Sequence, residues 1–169
     1  MNHIVVAIEL ARNKEIFRNT LHGLDSTMVR WKPAPDRWSL LEVICHLYDE
    51  ELYDFRARVQ HVLTVPELPI TPIDPLVWVT DNNYMQQDFE TMLHNFLTER
   101  VKSVNYLNQL VVPRWQNVYQ HPTLGPMPAS LFLHNWLAHD LHHIRQINEI
   151  RYQYLKMQSP DGLEYAGKW

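Results

Sequence analysis

Leu133-His134-Asn135-Trp136-Leu137-Ala138-His139-Asp140-Leu141-His142-His143-Ile144-Arg145-Gln146-Ile147-Asn148-Glu149-Ile150 carries two helical patterns at once. Leu133, Trp136, Leu137, Leu141, Ile144, Ile147 and Ile150 recur at steps of three and four, or their sum, as on the apolar stripe of an amphipathic helix. His139, His143 and Gln146 form a narrower second stripe. Residues four apart lie one turn apart on one helix face, so two imidazoles at this spacing can point at one metal ion. With ten histidines in the chain the pair is weak evidence alone. Two surface histidines, or two buried ones with satisfied ring nitrogens, would give the same spacing.

Working outward, prolines at 33–35, 66–75, 113 and 122–128 separate four long stretches, of which the one above, about 128–157, is the last. The first, about 3–24, places Ala7, Leu10, Phe17, Leu21 and Leu24 at helical steps, with Gly23 as a helix-ending glycine. The second begins after Pro33-Ala34-Pro35-Asp36-Arg37-Trp38, where Ser39 and Glu42 have the spacing of a capping box. Its apolar face is Leu41, Ile44, Tyr48, Leu52, Phe55, Val59 and Val62. The third, about 82–110, shows Phe89, Leu93, Phe96, Val104, Leu107 and Val111 at helical steps, with Arg100 inside the stripe. An arginine there pairs with a buried carboxylate or carries its head to solvent; an anionic substrate is the less favoured alternative.

Four amphipathic helices without strand alternation predict an all-α, four-helix bundle, one domain over 1–169. The long 64–80 connection between helices 2 and 3 suggests a crossing of the bundle instead of a turn between antiparallel neighbours. The stretch from Asp161 to Trp169 reads as a polar tail whose two aromatics dock on the bundle or on a partner.

Apolar residues are 46% of the chain, charged residues 20%, and the formal charge is −4. That balance is ordinary for a soluble globular protein and lacks the clustered basic face of a nucleic-acid binder. Neither a membrane span nor a leader pattern is visible, so no membrane partner and a cytoplasmic location are expected. The single cysteine, Cys45, excludes an internal disulfide and reads as a buried, inert thiol.

Helix 2 adds a second stripe of Glu42, His46, Asp49 or Glu50, and Tyr53. His46 can supply a third nitrogen to the His139–His143 pair, and three neutral nitrogens leave coordination positions open, as a catalytic metal requires. Asp140 and His142 flank the pair and should point away, although His142 offers a competing spacing with His139. The remaining histidines, 3, 22, 61, 94, 121 and 134, suggest surface or capping positions. Trp31, Trp38 and Trp136 read as core, and Trp78 and Trp115 as candidates for a pocket mouth.

Trp38-Ser39 leading to Glu42, then His46-Leu47 and Asp49-Glu50, resembles the first signature of the DinB-like superfamily. His139-Asp140-Leu141-His142-His143-Ile144-Arg145-Gln146 resembles its last-helix signature, and the His121–Pro128 loop fits as well. The resemblance spans essentially the whole chain. It implies a four-helix bundle with a three-histidine metal site, mapped here onto His46, His139 and His143. It also implies metal-dependent transferases or isomerases that use low-molecular-weight thiols such as bacillithiol or mycothiol, and often a homodimer.

Such a site suits a divalent metal, zinc or nickel first, with iron or manganese as alternatives. The expectation is an enzyme that activates a low-molecular-weight thiol for transfer to an electrophilic small molecule. Metal-assisted hydrolysis is the close alternative, and a non-catalytic metal-binding stress-response module the next. Glu50 is the candidate general base or labile ligand, Asp49 the candidate to orient a ligand imidazole, and only one of them should point inward. Gln146 is the candidate to hydrogen-bond a ligand or substrate. Loops 64–80 and 111–127 are expected to set specificity.

Overall fold

The computed structural model describes residues 2–169. Helix α1 (His3–Leu21) starts where the Asn2 side chain accepts from the Ile4 N–H, and the chain leaves it through Gly23 at φ +71°. A short α2 (Ser26–Arg30) is capped by Asp25. Helix α3 (Leu40–Tyr53) opens with the capping box: Glu42 N–H donates to Ser39 Oγ, and Glu42 accepts from the Ser39 N–H at 2.8 Å. The expected second helix is bent at Asp54 (φ −110°, ψ −93°) and continues as α4 (Phe55–Thr64). Backbone bonds Asp54 N–H to Glu50 and Arg58 N–H to Asp54 persist on either side, so the axis kinks without a loop.

The 65–88 connection contains α5 (Pro75–Asp81) and a 3-10 turn at Tyr84–Gln86. Helix α6 (Phe89–Gln109) therefore starts later than the expected 82. Asn83 takes a left-handed φ of 48° and Asp88 is the true N-cap, accepting from the Thr91 N–H. A hairpin not expected from the sequence, β1 (Val118–His121) with β2 (Gly125–Pro128), precedes α7 (Ala129–Gln158). His121 Nδ1 accepts the Thr123 and Leu124 N–H groups and so shapes its turn. In the tail, Trp169 stacks on Tyr152 (4.4 Å) and donates to Glu149, whereas Tyr165 is exposed.

Around the bundle, α1 packs on α6 and α7, and the α3–α4 rod packs on α6 and α7 from the other side. Contacts give the directions. Ser39 meets Met85, Glu51 meets Arg100 and Arg56 meets Ser103, so α3–α4 and α6 run parallel. Gly23 meets Glu90 while Leu10 meets Arg100, so α1 runs against α6. The long connection thus carries the chain back along the bundle, as its length suggested. None of the described helices is long and apolar enough to cross a membrane.

Two apolar clusters fill the interior, one around Phe17, Leu41, Ile44, Leu93 and Phe96, the other around Leu10, Val59, Leu107, Phe132 and Trp136. Between them sits a buried polar layer. Arg100 donates bidentately to Glu51 (2.8 and 2.9 Å) and to Asp140 (2.5 and 2.8 Å). Asn13 donates to Asp140 and the Trp136 indole to Glu51. Burial alone would depress the guanidinium pKa, but the two carboxylates outweigh it and hold it above its usual range. Of the readings open for Arg100, pairing with buried carboxylates is the one realised, with two partners.

Candidate metal centre

At the edge of this layer α3 and α7 bring His46, His139 and His143 together. His46 Nε2 lies 3.2 Å from His139 Nε2, which lies 3.0 Å from His143 Nε2. Trp38 packs on the His46 ring (4.9 Å) and Phe55 on the His139 ring (5.0 Å), which restricts both rotamers. His143 Nδ1 is 2.7 Å from Gln146 Oε1. An amide oxygen only accepts, so Nδ1 carries the proton and Nε2 presents a bare lone pair.

Burial keeps the three rings neutral. It pushes His46 down to about 3, His139 to about 2, and His143 below its ordinary value, with the neighbouring histidines adding to the first two. Two of these contacts are of imidazole hydrogen-bond length, and the same convergence of uncharged nitrogens is what a cation held between the rings requires. An ion at ~2.1 Å from each nitrogen spaces neighbouring ligands about 3.0–3.4 Å apart, which matches the His46–His139 and His139–His143 distances. The residues therefore fit a divalent metal.

The flanking carboxylates divide differently from expectation. Asp49 accepts from Tyr84 Oη (2.6 Å) and Asn82 Nδ2 (2.7 Å), so it ties α3 to the turn at 84 and orients no ligand imidazole. Glu50 is the one beside the site, with Oε1 3.9 Å from His46 Nδ1, a buried atom lacking any hydrogen-bond partner among the described residues. Burial, with the Asp54 carboxyl hydrogen-bonded beside it, pushes Glu50 up to about 9. Asp140 points away into Arg100, as expected. Tyr53 is more than half exposed and lies against Trp78 (5.9 Å), and the Cys45 thiol is buried and pushed up to about 12.

An open pocket of about 710 Å³ exposes His46 and His143 to solvent, walled by Arg37, Trp38, His142, Arg145, Gln146 and Glu149. Its walls come from the 36–38 turn and α7 instead of the loops expected to set specificity. Trp38, read as core, is half-buried and shared between core and pocket. The pocket face of α7 was visible as helical spacing, since residues 142, 145, 146 and 149 follow steps of three and one turn.

A comparison with curated protein sequences finds no match. Among solved structures, the fold is similar to YfiT from Bacillus subtilis, described as a probable metal-dependent hydrolase with an unusual four-helix bundle topology. The two share 18% sequence identity with a TM-score of 0.79, over 90% of this chain and 87% of that one. The sequence model of the DinB superfamily matches residues 9–147. With that match covering most of its length, the chain belongs to the DinB superfamily.

Proposed function

We propose that this protein is a metal-dependent enzyme in which His46, His139 and His143 hold a divalent cation, zinc or nickel, for attack by a small thiol on an electrophilic small molecule. One observation carries the reading. Three Nε2 atoms converge beside an open pocket, and among the described residues no carboxylate joins the cluster to close it. Three protein ligands with a free side are the pattern of a catalytic site, whereas a structural site is closed by a fourth. That disfavours the reading as a non-catalytic metal module. When bound, a divalent cation there lowers the pKa of a coordinated thiol or water toward neutrality.

The chain's own residues then have distinct tasks. Gln146 holds the His143 tautomer by accepting from Nδ1. Glu50 stands 3.9 Å from His46 Nδ1 without a hydrogen bond to it, and we assign it the same positioning task in preference to general base or labile ligand. Trp38 packs on the His46 ring and holds its rotamer, and Arg37 and Arg145 stand at the mouth, where they meet anionic groups of entering molecules. Water as nucleophile is the second reading, favoured by the description of YfiT as a probable hydrolase.

The test is metal content per chain by plasma mass spectrometry, on tag-free protein beside a His139→Ala/His143→Ala variant. About one equivalent, lost in the variant, supports the site. Thiol consumption with an alkyl halide, against ester hydrolysis without thiol, then separates the two nucleophiles. Absence of metal in both proteins after reconstitution with zinc, nickel, iron and manganese would overturn the proposal.

A further inference from the structure

A second cleft, of about 660 Å³, lies between the end of α3, α4, the 65–74 connection and α5, and it shares no lining residue with the pocket over the triad. That volume is within the range of small-molecule sites, roughly 300–1,000 Å³. Its walls are mostly apolar, from Leu52, Ala57, Ile70 and Ile73. Tyr53 and Trp78 form a tilted ring pair on one side, with centroids 5.9 Å apart. Tyr53 is 56% exposed, so much of this aromatic surface is not consumed by the core.

One cation faces this apolar space. Arg58 lines the cleft with its side chain only 19% exposed. Asp54 meets it at Nε, Glu50 is close enough to act on its charge, and its guanidinium carbon lies 6.0 Å from the Phe132 ring centre, while its two terminal nitrogens make no hydrogen bond among the described residues. The cleft's own carboxylate, Asp81, is at the exposed end of α5, where water screens it. His61 Nε2 donates to Leu68 O (2.9 Å), pinning the connection over α4 and giving the cleft a fixed wall.

We propose that this cleft is a binding site for a small ring-bearing carboxylate, its acid group on Arg58 and its ring against Tyr53 and Trp78. A planar, partly desolvated guanidinium matches a carboxylate with two parallel hydrogen bonds, and the aromatic wall supplies the apolar area. The inference is independent of the metal, because none of the lining residues belongs to the triad.

Isothermal titration with 2-naphthoate and its uncharged counterpart 2-naphthamide tests it, on protein as isolated and after chelation. The acid is expected to bind about tenfold or more tighter than the amide, in both preparations. Arg58→Met should reduce the acid to the affinity of the amide, and Arg58→Lys should keep part of the difference. Trp78→Ala, on an exposed short helix, should weaken both probes alike and guards against a folding defect in the Arg58 variants. Equal affinity of the two probes, acid binding that follows Arg145→Ala in the other pocket, or no saturable binding of either at millimolar concentration would overturn the proposal.

Discussion

Arg100 Nη2 donates to Asp140 Oδ1 at 2.8 Å, and Asp140 follows His139 directly in α7. The same guanidinium holds Glu51, five residues beyond His46 in α3. The buried ion network thus fixes the relative placement of the two helices that carry the histidines. Asn13 on α1 and Trp136 on α7 close it, so all four arms of the bundle meet at one polar knot.

Removing the cation should therefore be costly. Arg100→Met leaves two buried carboxylates facing each other, and breaking a buried pair in this way costs about 3–5 kcal/mol. Urea unfolding should show that loss. A loss below ~1 kcal/mol, the scale of a surface pair, would mean that the layer is hydrated and does not hold the bundle.

The entry of α3 is a second point of control. Ser39 is fully buried, and its hydroxyl both accepts from the Glu42 N–H and donates to Glu42 Oε2. Ser39→Ala should cost about 1 kcal/mol by loss of the cap, and Ser39→Asp should cost more, because it buries a second carboxylate against Glu42, which Lys32 alone offsets. Thermal melts of the two variants provide the check.

Much of this was readable because each long stretch shows an apolar stripe at helical spacing and several have a side-chain start signal, as Ser39 with Glu42 does. The His139–His143 pair was legible for the same reason: it needs only helical spacing. What escaped depended on partners remote in sequence. Asp49 and Glu50 are adjacent and both buried, and only Tyr84 and Asn82 decide that Asp49 turns from the site. Tyr84 and Met85 continue the apolar spacing of α6, yet Asn83 at φ 48° and the Asp88 cap delay its start. The hairpin escaped because Pro126 and Pro128 stand in a four-residue strand, where they hide the alternation.

Metal binding should register in stability. An ion that binds the folded chain alone, at one hundred times its Kd, adds about 2.7 kcal/mol. For a chain of this size that corresponds to a rise in Tm of about 5–10 °C. Calorimetry of chelated protein with and without added zinc should show the rise, and His139→Ala should abolish it. An equal rise in that variant would place the ion elsewhere.

The atoms around the triad make a sharper prediction. Gln146 and Glu50 face the Nδ1 atoms of two of the histidines, so their loss should loosen the ion without removing a ligand. Gln146→Leu and Glu50→Leu are each expected to weaken metal affinity ~10–100-fold, the usual effect of deleting an outer hydrogen-bond partner. Glu50→Gln keeps an acceptor for His46 Nδ1 and should restore most of the affinity, which a charged ligand would not allow. Asp49→Asn, although as buried as its neighbour, should leave the affinity unchanged and lower only stability, because its partners are Tyr84 and Asn82. Competition with a chromogenic chelator separates these cases. If Glu50→Gln falls as far as Glu50→Leu, the carboxylate charge itself acts on the metal or the substrate, and the positioning role is wrong.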